Sequence, residues 1–350
     1  MHLKANNQFT NELFQLMNSI KQPHIAVIGA GFSGAYLTKL LIDAGIRVSL
    51  FEKSRGTGGR LSSCSLDNHS ADLGAPFYTP TTPAFKKWLD QQPDIATWNT
   101  KVIDFSGKTL PSETFHLAIP KQSSLTRRLI QGAHFAPSTR IAKISHNANK
   151  QDHKNSIYDD DGLLLGHFDG VIITAPAAQA GPLLNTTEIP RLATAYSNIA
   201  NQITSQASWV QVLVLKSSDR ITPDLIKGEH KLLFRCIKNS SKLNRTDGLG
   251  NDVWVIEANS EWSELNKNSD PENVRKQLTE AFLKLLPIQP EILATRTHRW
   301  LYARHEAVDE EFIWDSETCI GACGDWLAAH HLEGAWHSAK MLAKTVINKL

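Results

Sequence analysis

Residues 24–31, HIAVIGAG, carry an apolar run at 25–28 into Gly29 and Gly31, the pattern of a buried parallel strand. Residues 33–45 then space their apolar side chains at helical intervals and stop at Gly45, and residues 47–53 return to a strand. This order predicts a βαβ unit with parallel strands. Residues 81–120 are richer in Pro, Thr and Trp and lack long periodicity, 123–133 read as a helix, and 168–176 read as another buried strand. The chain therefore leaves a first domain and comes back to it.

From about 181 to 314 the pattern changes to separated strands at 208–216, 231–239 and 252–259, followed by a helix at 271–286. A mostly antiparallel sheet with a helix accounts for it, an α+β second domain. Residues 318–327 form a strand and loop, and 333–350 a closing helix. The expected division is a discontinuous first domain at 23–80, 121–180 and 315–350, a second domain at 81–120 and 181–314, and an extension at 1–22. In the extension, Phe9, Leu13, Phe14 and Met17 recur at helical spacing, which fits either a short amphipathic helix or disorder.

The 350 residues carry a formal net charge of +2, so the balance points to neither nucleic acid nor an anionic membrane as partner. Cys64, Cys236, Cys319 and Cys323 make neither a disulfide framework nor a metal-type double pair, so no metal is expected and a reducing compartment is. The N-terminus lacks an apolar core of signal-peptide length, and apolar runs elsewhere are strand-sized. These features lead to the expectation of a soluble cytoplasmic protein, monomeric or homodimeric.

Candidate chemistry begins at Gly29-Ala30-Gly31-Phe32-Ser33-Gly34, placed after a strand and opening a helix. There Gly29 permits a tight turn, Gly31 lets backbone approach a pyrophosphate, and Gly34 allows close helix–strand packing. Glu52 ends the second strand, where a carboxylate accepts hydrogen bonds from an adenosine ribose. Lys53, Arg55 and Arg60 then surround Gly56, Gly58 and Gly59, a loop suited to holding phosphates closely, or else a solvated basic turn.

With "RGTGGR" at 55–60 the chain resembles the glutathione-reductase-type flavoproteins, more narrowly the amine oxidase superfamily. The resemblance implies a Rossmann-like FAD-binding domain interleaved with the α+β substrate domain. It extends to 71–79, where Asp72 would order the loop and Gly74 and Ala75 would admit the flavin ring, and to the segment 320–336. In that segment Gly324 precedes Asp325, which would bind the ribityl or pyrophosphate region or serve as an N-cap, while Gly334 and Ala335 would open a helix aimed at the ring. Covalent attachment is not indicated, although Cys64 and Cys323 lie in segments near the expected cofactor.

Residues 24–349 resemble most closely the renalase family, especially its bacterial members, through 55–63, 233–242, 254–263 and 297–304 in family order. Leu301 and His305 depart from its pattern and bear on substrate details. The resemblance implies hydride transfer from 2- or 6-dihydronicotinamide dinucleotides to flavin N5, with O2 as acceptor, giving H2O2 and NAD(P)+. Such a donor needs stacking more than acid–base machinery. No catalytic residue is therefore assigned. For the substrate wall, Trp300 and Tyr302 are nominated with His298 and Arg299, although Trp300 equally suits an interface core and Arg299 an ion pair. Asn239, Ser240 and Lys242 fit either the pocket or a surface turn, and His330 and His331 a capping or exposed role. An amine oxidase or desaturase, and a non-catalytic FAD-binding protein, are the competing readings.

Overall fold

The computed structural model describes residues 22–200, 202–245, 250–306, 308–328 and 331–349, so the helix considered for the first twenty residues, and His330, lie outside the described residues. In chain order the first half comprises strand β1 (His24–Ile28), helix α1 (Phe32–Asp43), β2 (Arg47–Phe51), a hairpin of β3 (Ser63–Leu66) and β4 (His69–Asp72), and α2 (Pro83–Asp90). Next come β5 (Ile95–Ile103), β6 (Thr109–Ala118), α3 (Gln122–Leu129), β7 (His134–Ala136), β8 (Ile141–His146), β9 (Asn155–Asp159), β10 (Leu164–Phe168) and β11 (Gly170–Ile173). The second half holds α4 (Ala177–Asn185), α5 (Pro190–Ala200), β12 (Ser205–Leu215), β13 (Leu225–Lys227), β14 (Leu233–Lys238), β15 (Asp252–Ala258), α6 (Ser260–Leu265) and α7 (Pro271–Leu283). The chain closes with β16 (Ile292–His305), β17 (Ile313–Asp315), β18 (Ile320–Ala322), α8 (Asp325–Ala328) and α9 (His331–Ile347).

One sheet has the order β17-β18-β11-β1-β2-β7, and every pairing in it except β17 with β18 is parallel. Both faces are covered. Leu37 and Leu41 of α1 pack with Leu342 and Val346 of α9 on one side. Ala180 and Leu184 of α4 pack with Leu192 and Trp326 on the other. This two-sided burial explains the uninterrupted apolar runs of β1 and β11. The fold class expected from the sequence is the one observed, a mixed α/β molecule with a Rossmann-like domain. None of the described helices is long and apolar enough to cross a membrane.

The second sheet runs β16-β12-β15-β14-β13-β5-β6. Its pairings are antiparallel apart from β13 with β5. Val274, Leu278 and Phe282 of α7 cover one face, against Trp254 and Leu213. Helix α7 begins where Asp270 accepts a hydrogen bond from the Asn273 N–H (3.2 Å) and Pro271 occupies the first turn. Val210, Val212 and Val255 on the opposite face meet Cys64, Ala71 and Leu73 from the hairpin region. Covered on both faces, β12 is buried from residue 207 to 215, and Ser208 and Gln211 are buried with its apolar side chains.

Two boundaries differ from expectation. Leu184, Leu192 and Ile199 pack on the first sheet, so the helices up to 200 belong with that domain. Phe85 and Leu89 of α2 also join the first core. Amphipathic helices carry no sequence mark of which sheet they cover.

Candidate functional site

A cleft of about 1740 Å³ lies between the two sheets and draws its lining from both. At one end stands the N-terminus of α1, where Gly31, Phe32 and Ser33 face the space. No side chain caps this twelve-residue helix, and its first turn contains no acidic residue. Its terminal N–H groups and positive dipole end are therefore available to an anion. An added Cβ on Gly31 would meet nothing within 4 Å, whereas one on Gly34 would fall 2.0 Å from the Gly29 carbonyl oxygen. The two glycines thus divide the work: Gly31 keeps backbone open to the cleft, and Gly34 brings the helix against the turn.

Glu52 borders the cleft with its carboxylate already placed. The Ala30 N–H donates to Oε2 and the Ser54 N–H to Oε1, each at 2.8 Å. Beyond it, the Gly58 N–H donates to the Ala30 carbonyl at 2.8 Å, and Gly59, with φ of +52°, sits so close that a Cβ would lie 3.1 Å from Gly31 Cα. The glycines of 56–59 therefore dock this loop against the first glycine turn. The Ala75 N–H in turn donates to the Arg60 carbonyl at 2.7 Å, adding the 73–75 segment to the same wall.

The arginines behave differently from expectation. Arg55 is exposed and is not among the cleft-lining residues. Arg60 lines the cleft but is engaged with protein: Nη2 donates to Asp325 Oδ1 at 2.6 Å and Nη1 to the Ala303 carbonyl at 3.3 Å. Burial alone would raise the Asp325 carboxyl, yet the Arg60 guanidinium holds it below the ordinary carboxylate value. Arg127 and Arg140, which the sequence did not single out, also border the cleft, as does Lys53, whose Nζ donates to Gln179 Oε1 at 2.9 Å.

Asp72 is a buried hub rather than a cleft residue. Oδ2 accepts from Lys242 Nζ (3.1 Å) and from Arg245 Nε and Nη2 (3.0 and 2.9 Å), while Oδ1 accepts from the Gln122 N–H (3.1 Å). Burial opposes its ionisation, but Lys242 and Arg245 bring the net shift downward. This network corrects the nomination of Asn239, Ser240 and Lys242. Asn239 is fully buried and uses its amide on the Ser70 carbonyl and the Asp72 N–H, and Ser240 Oγ accepts from the Val253 N–H. None of the three lines the cleft. The polar turn is buried because the 70–72 segment supplies its partners.

At the C-terminal side, Gly324, Asp325, Ala335 and Trp336 border the cleft. Helix α9 opens at His331, so Gly334 and Ala335 lie within its first turns rather than at its start, and Gly334 is buried. His331 also borders the cleft. Cys64 lines the cleft, while Cys323 lies buried 3.3 Å from Ser33 Oγ. Burial pushes Cys323 up to about 12 and also raises Cys64, so both remain protonated thiols.

The far wall is the second sheet. Strand register aligns Arg235 of β14 with Glu257 of β15, Glu257 with Val210 of β12, and Val210 with His298 of β16, and all four line the cleft. Trp300 lies two residues along from His298, its Nε1 donating to the Leu73 carbonyl at 3.1 Å and its ring edge-on to His298 at 4.4 Å. Burial, aided by Arg296, lowers the His298 pKa, so the imidazole is neutral at pH 7. Tyr302 is half-buried on the same wall. Arg299 borders the cleft, but its guanidinium lies over the Trp209 ring (5.6 Å) and donates to the Lys267 carbonyl, which corrects its assignment as a substrate partner. Leu301 is 46 % exposed, and His305 Nδ1 pairs with Ser205 Oγ at 2.9 Å. Phe234, Arg235, Glu257 and Arg304 complete the wall with Phe77 from the segment after β4; sheet register brings the strand residues together, and no local sequence pattern marks the group.

Comparison with known proteins agrees with this architecture. An NAD(P)-binding Rossmann-like domain matches residues 27–91. Among solved structures, a putrescine oxidase redesigned in its cofactor binding superposes with a TM-score of 0.73 at 12% identity, covering 94% of this chain and 99% of that one. Cyclohexylamine oxidase from Brevibacterium oxydans IH-35A gives 0.71 at 10% identity over 94% and 99%. Reduced UDP-galactopyranose mutase gives 0.67 at 12% identity over 93% of each chain. The fold is common to all of them.

Proposed function

We propose that this chain is an FAD-dependent oxidoreductase, an oxidase of renalase type that takes a hydride from 2- or 6-dihydronicotinamide dinucleotides. The observation that carries the reading is the continuity of one cleft, from the uncapped α1 terminus and Glu52 to the aromatic wall at His298 and Trp300. At about 1740 Å³ it exceeds the roughly 300–1,000 Å³ usual for a single small ligand, which suits a dinucleotide cofactor with a substrate beside it.

The residues fit FAD. Glu52 would take the adenosine ribose, the N–H groups of α1 the pyrophosphate, and the 73–75 and 335–336 segments would flank the ring. Bound FAD would supply a two-electron acceptor for the hydride, and O2 would receive both electrons as H2O2. The chain's own contribution is positioning and exclusion of water. Trp300, locked to the Leu73 carbonyl, offers a fixed aromatic surface, and neutral His298 adds no charge beside it.

The competing reading is an amine oxidase, which shares the fold of the putrescine and cyclohexylamine oxidases. The far wall argues against it. Arg235, Arg296 and Arg304 outnumber Glu257 there, and an ammonium substrate would meet like charge. Anaerobic mixing of the FAD-loaded protein with each donor separates the readings. Bleaching of the flavin by the 2- or 6-dihydronicotinamides is the expected result. Bleaching by alkylamines alone would favour the amine oxidase, and bleaching by no donor a non-catalytic FAD protein.

A further inference from the structure

The proposed hydride transfer leaves one charged group of the far wall without a task. Arg235 and Glu257 form a two-toothed pair, Nε to Oε2 and Nη2 to Oε1, both at 3.0 Å. That carboxylate is thereby occupied. Arg304 Nη2 stands 3.9 Å from Glu257 Oε2, beyond hydrogen-bond reach, and among the described residues its guanidinium makes one hydrogen bond, from Nη1 to Ser260 Oγ. Two guanidiniums against one carboxylate leave a surplus positive charge in a partly buried wall, with 21% and 31% of the Arg235 and Arg304 side chains exposed.

The surroundings suit recognition rather than packing alone. Arg304 lies over the Phe234 ring at 4.4 Å, and Arg235 lies over Phe77 at 4.8 Å. Phe234 is 37% exposed where it borders the cleft, so part of its apolar surface remains open beside the two guanidiniums. Arg296 and neutral His298 lie along the same strand and add no negative charge. Asp325, another acid of the cleft, is paired with Arg60.

We infer that Arg304, with Arg235 held in place by Glu257 and with Phe234 as its platform, receives an anionic group of the substrate, a carboxylate or a phosphate. This rests on the cleft being the substrate site of the proposed oxidase, and not on which donor is oxidised. A planar guanidinium presents paired donors that match either anion, and the aromatic face beneath it keeps water away from one side. Glu257 fixes Arg235 and takes up its charge, so Arg304, with Arg296 along the same strand, leaves the wall net positive toward an anion.

The test is calorimetric titration of the FAD-loaded protein with benzoate, phenyl phosphate and neutral benzamide. At least one anion is expected to bind about tenfold more tightly than benzamide, the size of one charge-assisted hydrogen bond. Preference for phenyl phosphate identifies phosphate as the natural group, and preference for benzoate a carboxylate. Arg304→Gln should abolish the preference, Arg304→Lys should retain part of it, and Glu257→Gln should strengthen anion binding by removing the competing carboxylate. Equal binding of all three probes, binding of none, or a preference that survives Arg304→Gln would overturn the proposal. Flavin bleaching by dihydronicotinamides is read separately, so either idea can fail while the other stands.

Discussion

Arg60 and Asp325, 265 residues apart in sequence, meet in a 2.6 Å ion pair on the wall of the cleft. The same guanidinium reaches the Ala303 carbonyl on β16. One side chain thus joins the glycine loop after β2, the start of α8 and the second sheet. Arg60→Met should cost about 2–3 kcal/mol, because it leaves the buried Asp325 carboxylate without its partner. Denaturant unfolding of Arg60→Met, Asp325→Leu and the double variant measures this. The double variant should lie closer to wild type than the sum of the two single losses.

The two glycines of the first turn should separate folding from binding. Gly31→Ala meets open space, so the cofactor-free protein should keep its stability to within about 0.5 kcal/mol. Its new methyl group would face the cleft and should displace the pyrophosphate, lowering FAD retention on gel filtration. Gly34→Ala collides with the Gly29 carbonyl and should instead lower stability by about 2 kcal/mol or more.

Asp72 should govern acid stability. Its folded-state pKa is lowered, so its contribution is complete above the ordinary carboxylate value of about 3.8 and is lost as pH falls through the lower folded value. Asp72→Asn leaves Lys242 and Arg245 buried with their shared carboxylate gone. A loss of about 3–5 kcal/mol is expected at neutral pH, with a flatter acid limb in stability measured against pH.

Trp300 should act on substrate more than on cofactor. Trp300→Ala removes the ring beside His298 and should weaken donor binding about three- to tenfold while FAD remains bound. Trp300→Phe keeps an aromatic face but frees the Leu73 carbonyl. It should therefore recover most of the affinity, as read from the donor-concentration dependence of flavin reduction.

Local pattern carried much of this architecture into the sequence. Gly29, Gly31, Gly34 and Glu52 lie within one strand–helix–strand unit, so their spacing alone announces the turn, the helix N-terminus and the carboxylate that closes it. Long-range geometry left no such mark. Arg235, Glu257 and His298 share a wall only because β14, β15, β12 and β16 pair in one register. Asn239, which by sequence fits either the pocket or a surface turn, is buried against the β4 segment, far earlier in the chain. Arg60 shows the same limit from the other side: its place in the loop is local, but its partner is not.

The central claim is that the cleft holds FAD. The most direct measurement is the visible absorption spectrum of the purified protein, before and after incubation with FAD and removal of the excess. A yellow protein with flavin absorption, or a colourless one that retains one FAD per chain after incubation, is the predicted result. A colourless protein that retains no FAD would contradict the account.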